Sequence, residues 1–493
     1  MNILLINPPE AARRSENVWR NIASVMPPLG IAWLAAALER EGHEVRILDA
    51  NALRLSTHEV PAWIRGHGRF DMAGITATTP LIANALEIAR LVKTEWPETR
   101  LVLGGVHPTV LPEEVLSEPA ADVVVRGEGE ITLGELAAEK PWEQIDGLSY
   151  RRDGQVVHNP DRQLIGNLDT LPMPAYHLLP MDKYRPAAGA AKRTPATSML
   201  ATRGCPGRCT FCYRLFGARL RCRSGRIVAE EVKLLQDRYQ IKEICFYDDT
   251  FTAVKPQVKS FCQAVRDLGI DLTWSCFSRI DTFDLETFRM MKECGCHQVM
   301  FGVETCNPQI LRNINKRIRL DRVEDVVRDT QRLGIEVRVT FMLGNPGETV
   351  ATMEETIRYA IRLNPDLALF NITTPFPGTE MHQWADENGY LLSRDWKDYD
   401  LSTPVMRLPT VSPEAILKAY RSAHLRFYLR PRCIGRQLTK LRSREAWSSS
   451  MRGLRMLLSA TSLSWLRREK LPRTAPEVAV CEDAPTVPLK KAA

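Results

Sequence analysis

The chain has 493 residues, 25% charged and 44% hydrophobic, with 66 Lys and Arg against 59 Asp and Glu. That length predicts more than one domain, and that balance predicts a soluble globular protein rather than a disordered or fibrous one. No apolar run reaches the roughly 18 residues of a membrane span, and the opening MNILLINPPE reads as a buried strand rather than a signal peptide. The 12 cysteines are scattered, so a cytoplasmic chain is expected, in which clustered thiols bind metal more often than they form disulfides.

From 1 to 140 strand-like and helix-like runs alternate. NILLIN (2–7) is apolar and of strand length. PPLGIAWLAAALEREG (27–42) carries apolar residues at helical spacing and stops at Gly42. Strands are expected at 44–50, 71–76, 100–105 and 122–127, and helices near 57–66, 81–96, 111–118 and 130–139. Five strands separated by helices predict an α/β, doubly wound, Rossmann-like domain. Ligands of such sheets sit at the carboxyl ends of the strands, at the topological switch point. Those ends carry Asn7, Pro8 and Pro9, then Thr76, GGVHPT (104–109) and RGEGE (126–130). No G-x-G-x-x-G follows the first strand, which speaks against a dinucleotide. RGEGE alone can be turn geometry, and His107 alone can be a hydrogen-bonding group.

Segment 141–190 is expected as a linker, because LIGNLDTLPMPAYHLLPMDKY (164–184) is proline-rich and aperiodic. ATSMLATR (196–203) reads as a strand, and Cys205, Cys209 and Cys212 follow it in a C-x3-C-x2-C spacing. A structural zinc site needs four protein ligands, and Cys222 is the nearest further candidate. An iron–sulfur cluster is the other reading. Three thiolates on a 4Fe-4S cluster leave one iron open to the nitrogen and oxygen donors of a small molecule. Strand–helix units then repeat up to residue 380, which makes six with the strand before the cysteines. They predict a partial (β/α)6 barrel over 191–400, with its chemistry at the carboxyl strand ends. Those ends hold Asp248, Asp249, Ser275, Arg279, Glu304, GNPGET (344–349) and TPFPGTE (374–380). Taken singly, each can be a helix cap or a turn. The remaining cysteines read as small buried hydrophobes.

A basic helical region is expected over 401–471 and a disordered tail over 472–493. Between 413 and 471 there are 14 Lys and Arg against 3 Asp and Glu. Trp465 and Leu466 stand beside Arg467, Arg468 and Lys470. The segment can be helices packed on the barrel, or a basic amphipathic surface touching anionic membrane. No nucleic-acid-binding module is recognisable.

PPLGIAWLAAALEREGHEVRILDA, GGVHPT and VVVRGEGE together resemble the cobalamin-binding domain that precedes many radical S-adenosylmethionine enzymes. The cysteine triad, with Phe211 just ahead of its last member, resembles the same enzymes closely. The likeness covers about 1–400. It implies a 4Fe-4S cluster on Cys205, Cys209 and Cys212. S-adenosylmethionine is implied against Phe211 (adenine, by backbone), Ser275 and Arg279 (ribose or carboxylate), Glu304 (amino group) and Gly344 (adenosine pocket). Cobalamin is implied against Thr76, Gly104, Gly105, Val106, His107, Gly127 and Glu128. The D-x-H-x-x-G of methionine-synthase-like domains is missing after the first strand, so a cobalt-ligating histidine is not expected. The implied reaction is methyl transfer to an unactivated carbon of a hydrophobic small molecule, a lipid or a tetrapyrrole. A flavodoxin or ferredoxin would supply the electron, and peripheral contact with the inner face of the membrane is a further expectation. Oxidative ring closure, as in anaerobic magnesium-protoporphyrin ester cyclase, is the runner-up. A non-catalytic cobalamin sensor is the alternative of another class, and the cysteines and Glu304 argue against it.

Overall fold

The computed structural model describes residues 1–10, 24–187 and 189–440. The first domain runs β1 (Asn2–Asn7), α1 (Leu29–Arg40), β2 (Glu44–Asp49), α2 (Val60–Arg65), β3 (Met72–Thr76), α3 (Ile82–Glu95) and β4 (Arg100–Gly104). It continues with α4 (Val106–Val110), α5 (Pro112–Leu116), β5 (Val123–Val125) and α6 (Gly129–Ala137). These strands are buried on both faces, as parallel strands between helix layers must be. The order is β2-β1-β3-β4-β5, all parallel, so the switch point lies between β1 and β3.

The sheet does not stop at five strands. β6 (Leu148–Arg152) and β7 (Gln155–His158) add an antiparallel hairpin beyond β5. They fall inside the stretch expected as linker. Asp153 and Gly154 turn the hairpin with both φ values positive, 51° and 78°, the conformation that Asp-Gly favours in two-residue hairpins. The rest of 159–190 straps the two domains: Ala175 N donates to the Ala32 carbonyl of α1, and Tyr176 Oη donates to Glu231 at 2.6 Å.

The second domain has β8 (Ala196–Met199), β9 (Thr202–Arg203), β10 (Arg221–Cys222), α7 (Gly225–Tyr239), β11 (Glu243–Phe246), α8 (Lys255–Asp267) and β12 (Thr273–Ser278). After these come α9 (Leu285–Glu293), β13 (Cys296–Glu304), α10 (Pro308–Asn313), α11 (Leu320–Arg332), β14 (Glu336–Leu343), α12 (Val350–Leu363) and β15 (Leu367–Ile372). Six parallel strands in the order β8-β11-β12-β13-β14-β15 form the expected partial barrel. Its outer face is packed against helices, with Phe246, Phe251, Phe261 and Trp274 in mutual ring contact. The inner face differs. Along β12, β15 and the first six residues of β14, buried residues alternate with ones that keep some solvent access. The lumen is therefore hollow, unlike the filled interior of a complete barrel.

α13 (Glu380–Glu387), α14 (Pro413–Tyr428) and α15 (Pro431–Lys440) close the described chain. α14 packs on the barrel through Ile416, Ala423 and Phe427, and Arg426 grips Glu354 with two hydrogen bonds. For this part of the basic region the packing reading holds. The stretch around Trp465 lies outside the described residues. Among the described residues no helix is long and apolar enough to cross a membrane.

Candidate functional site

The antiparallel pair β9–β10 brackets the loop that carries the cysteines, with Arg203 opposite Arg221 and Thr202 opposite Cys222. Buried Asp248, at the end of β11, fixes the entry to this loop by accepting from Ala201 N and from both the amide and hydroxyl of Thr202. Burial pushes its carboxyl up to about 7 against those hydrogen bonds. Gly204 turns into the loop at φ 96°, and a Cβ there would stand 2.3 Å from the Arg219 carbonyl, so only glycine fits. Cys205 N donates to Gly217 O, Thr210 N to Ile314 O, and Met381 N to Thr210 O. Phe211 packs on the Leu311, Ile314 and Met381 cluster.

The three thiols sit close enough to sense one another. Burial pushes Cys209 up, Lys316 and Arg279 pull it back, and Glu304 and Cys205 add to the rise. Cys212 rises to about 12, first by burial, then through Asp249 and the other two thiols. Although partly walled in by protein, its side chain stays open to solvent. Among the described residues the charge that acts on Cys222 is that of Asp248, not of the three thiols, so the zinc reading gains no fourth ligand there. Among the described residues no group of His, Cys, Asp or Glu could hold a single ion. Three cysteines on one loop, flanked by two cations, suit instead a 4Fe-4S cluster in which each thiolate takes its own iron.

Glu304 ends β13 after a bulge, at φ 70°. Its carboxylate meets Lys316 Nζ at 2.9 Å and Thr340 Oγ1 at 3.2 Å. Lys316 is buried too. Burial works against its charge, but Glu304 and the Cys209 thiol more than offset this. Arg279 is held by Asp281 through Nε at 2.9 Å and Nη2 at 2.8 Å, and its charge acts on Cys209 and Cys205. Cys209, Arg279, Glu304 and Lys316 thus form one cluster at the barrel mouth, of which the sequence reading missed Lys316.

Ser275 and Gly344 stand apart from this cluster. Ser275 is in the lumen, level with Gln298 of β13 and Cys245 of β11. Gly344 packs against Ile416 of α14, and its amide donates to buried Glu348 at 2.7 Å, so it faces the C-terminal helix.

On the first domain, Thr76 and Gly105 come together where β3 and β4 end. A Cβ at Gly105 would stand 2.8 Å from the Ala77 carbonyl and 2.9 Å from Thr76 Oγ1. Gly104 closes β4 and Val106 opens α4. Gly127 N donates to Thr109 Oγ1. His107 is fully buried, with Nδ1 3.3 Å from Thr79 Oγ1 and Nε2 3.5 Å from Glu114 Oε1. Its edge meets Trp396 at 5.4 Å. The ring is enclosed, and its Nε2 is buried without a hydrogen-bond partner.

The Glu128 side chain is turned to the second domain. Its carboxylate accepts from Arg203 at 3.1 Å, Arg221 at 2.9 Å and Ile165 N at 2.7 Å. Glu130 takes the other end of Arg203 at 2.5 Å, and Trp33 and Phe216 flank that guanidinium at 5.0 and 5.2 Å. RGEGE therefore grips the barrel just ahead of Cys205. At the mouth, Gly378 of the β15 loop backs onto Val110 of the first domain and Tyr213 of the cysteine loop.

Comparisons with known proteins agree with this geometry. Residues 17–137 match the B12 binding domain and 199–360 the radical SAM superfamily. An uncharacterized methyltransferase of Pyrococcus horikoshii is 39% identical over 441 residues, covering 88% of this chain and 94% of that one. The anaerobic magnesium-protoporphyrin IX monomethyl ester cyclase of Rubrivivax gelatinosus is 28% identical, with 91% and 81% covered. Among solved structures, the radical S-adenosylmethionine methyltransferase TsrM of Kitasatospora setae, with cobalamin and a [4Fe-4S] cluster bound, superposes with a TM-score of 0.64. That match is 20% identical and covers 78% of this chain and 75% of TsrM, a likeness of fold. The cobalamin domain, the cysteine loop and the shared length lead to one conclusion: the chain belongs to the cobalamin-dependent radical S-adenosylmethionine methyltransferase family, whose cofactors are cobalamin, a 4Fe-4S cluster and S-adenosylmethionine.

Proposed function

We propose that this enzyme methylates an unactivated carbon of a small hydrophobic molecule. The observation that carries the reading is the contact of Val110, Gly378 and Tyr213, which sets the first domain's strand-end loops over the cysteine loop. When bound, the cluster supplies the electron that cleaves S-adenosylmethionine, and cobalamin supplies the methyl group. In our reading Cys205, Cys209 and Cys212 hold three irons, and the Phe211 backbone lies along the adenine. Glu304, held by Lys316, receives the methionine amino group, and Arg279 faces the carboxylate. Thr76, Gly104, Gly105, Val106 and Gly127 offer cobalamin a backbone-lined edge.

The hydrophobic character of the substrate is supported by lumen residues Tyr247, Phe277, Met300 and Leu369. Tyr247 and Phe277 are stacked at 5.4 Å. A flavodoxin or ferredoxin is the proposed reductant, and the cytoplasm the proposed compartment, which suits the unpaired thiols. Peripheral membrane contact rests on the charge of 413–471 alone. The test is an anaerobic reaction of reconstituted enzyme with labelled S-adenosylmethionine and candidate lipids or tetrapyrroles. Equal yields of 5′-deoxyadenosine and S-adenosylhomocysteine are expected. 5′-Deoxyadenosine alone, with an oxidised product, would favour the ring-closing reading that the Rubrivivax relative supports.

A further inference from the structure

The hollow lumen contains a charged group that stands apart from the cluster at the barrel mouth. Arg338 lies on the inner face of β14, in register with Met300 of β13 and Leu367 of β15, while Phe277 of β12 pairs with Met300. Two residues above it, Thr340 donates to Glu304, so Arg338 sits one layer below the proposed S-adenosylmethionine site. Among the described residues it makes no ion pair. Its one side-chain hydrogen bond is a long one, from Nη1 to Gln298 Oε1 at 3.3 Å, and its Nε is buried without an acceptor. The carboxylate that acts on it, Glu336, is itself engaged by Gln298 at 3.3 Å. Burial lowers the pKa of the guanidinium, and Tyr428, Tyr247, Cys245 and Glu336 only partly compensate.

A guanidinium that faces a hollow with a buried nitrogen lacking an acceptor marks a binding site. A guanidinium is also the side chain best shaped for a planar or tetrahedral oxyanion. We propose that Arg338 binds an anionic group, carboxylate or phosphoryl, on a substrate whose apolar body lies along Tyr247, Phe277 and Met300. The substrate is then an amphiphile, and its acidic end sets which carbon faces the barrel mouth. This rests on the reading of the lumen as the substrate cavity.

Calorimetric titration of the holoenzyme, with S-adenosylmethionine present to occupy the open iron, tests it. The probes are octanoate, octyl phosphate and uncharged octanol. At least one anion is expected to bind about tenfold or more tightly than the alcohol, the size expected of a charge-assisted hydrogen bond. Which anion does so separates carboxylate from phosphoryl recognition. Arg338→Gln is expected to bring the anion down to the affinity of octanol and leave octanol unchanged, and Arg338→Lys to retain part of the preference. Wild-type enzyme that does not prefer either anion overturns the proposal, as does unaltered anion binding in Arg338→Gln. Iron and cobalamin contents report folding. Should the glutamine variant fail to incorporate them, Met300→Trp fills the lumen beside the guanidinium and is expected to abolish anion binding, and unaltered binding there overturns the site. An enzyme that binds the anion but never forms 5′-deoxyadenosine keeps this site and refutes the proposed function. One that forms it without preferring anions does the reverse.

Discussion

Glu304 and Lys316 are buried together at the mouth, at 2.9 Å. Removing one partner of such a pair leaves an uncompensated charge, whereas removing both is far milder. Lys316→Met is expected to cost about 3 kcal/mol or more in chemical denaturation, and Glu304→Met with Lys316→Met together to recover most of it. The cysteines respond differently: alanine at 205, 209 or 212 is expected to abolish cluster iron and 5′-deoxyadenosine formation, while alanine at Cys433 changes neither. Glu348 gives a pH signature. Burial holds its carboxyl at about 7, above its ordinary value of 4.5, although Gly344 N and Asn345 N bond one oxygen. The folded state therefore binds the extra proton. The stability this confers is complete below pH 4.5 and is lost as pH rises through about 7. Glu348→Gln keeps the accepting oxygen, and melting temperatures measured from pH 5 to 7.5 are expected to flatten in it. At this scale the cysteines were legible because three identical donors lie within eight residues. Lys316 and Arg338 were not, since each draws its meaning from strands that only the fold brings alongside.

Long helices declared themselves through their apolar spacing, with bounds that shifted by two residues or fewer, whereas the strand expected over 196–203 ends at Met199. α10 and α13 were missed because one or two turns leave no measurable period. The β6–β7 hairpin was missed for another reason. Arg152-Asp153-Gly154-Gln155 carries the Asp-Gly turn signal, but its strands are only five and four residues long and largely polar. The prolines downstream then drew the whole stretch into a linker. With φ of 78° at Gly154, a Gly154→Val substitution is expected to cost roughly 1 kcal/mol or more. Since this hairpin lies at the far edge of the sheet, iron and cobalamin contents are expected to stay at wild-type levels, and loss of iron would contradict its distance from the site.

Across the whole molecule, the expectation of two α/β units in series holds, but their joint was invisible in the sequence. Glu128 and Glu130 looked like parts of a ligand loop because they follow a strand of the first domain, and their partners lie more than 70 residues away. Those partners, Arg203 and Arg221, flank the cysteine loop on both sides. Glu128→Gln is expected to lower stability by about 3 kcal/mol and to reduce iron retention along with cobalamin, measured on the same purified sample. A loss of cobalamin alone would mean that the joint does not reach the loop. The joint also bears on how such enzymes diversify. A first domain transplanted onto a foreign barrel would confront Glu128 and Glu130 with strangers, and two acids would be stranded in a dry seam. New members of this lineage would therefore arise by reshaping the lumen while the two halves descend as a matched pair, and hybrids that carry both acids and both arginines from one parent should fold where mixed ones fail.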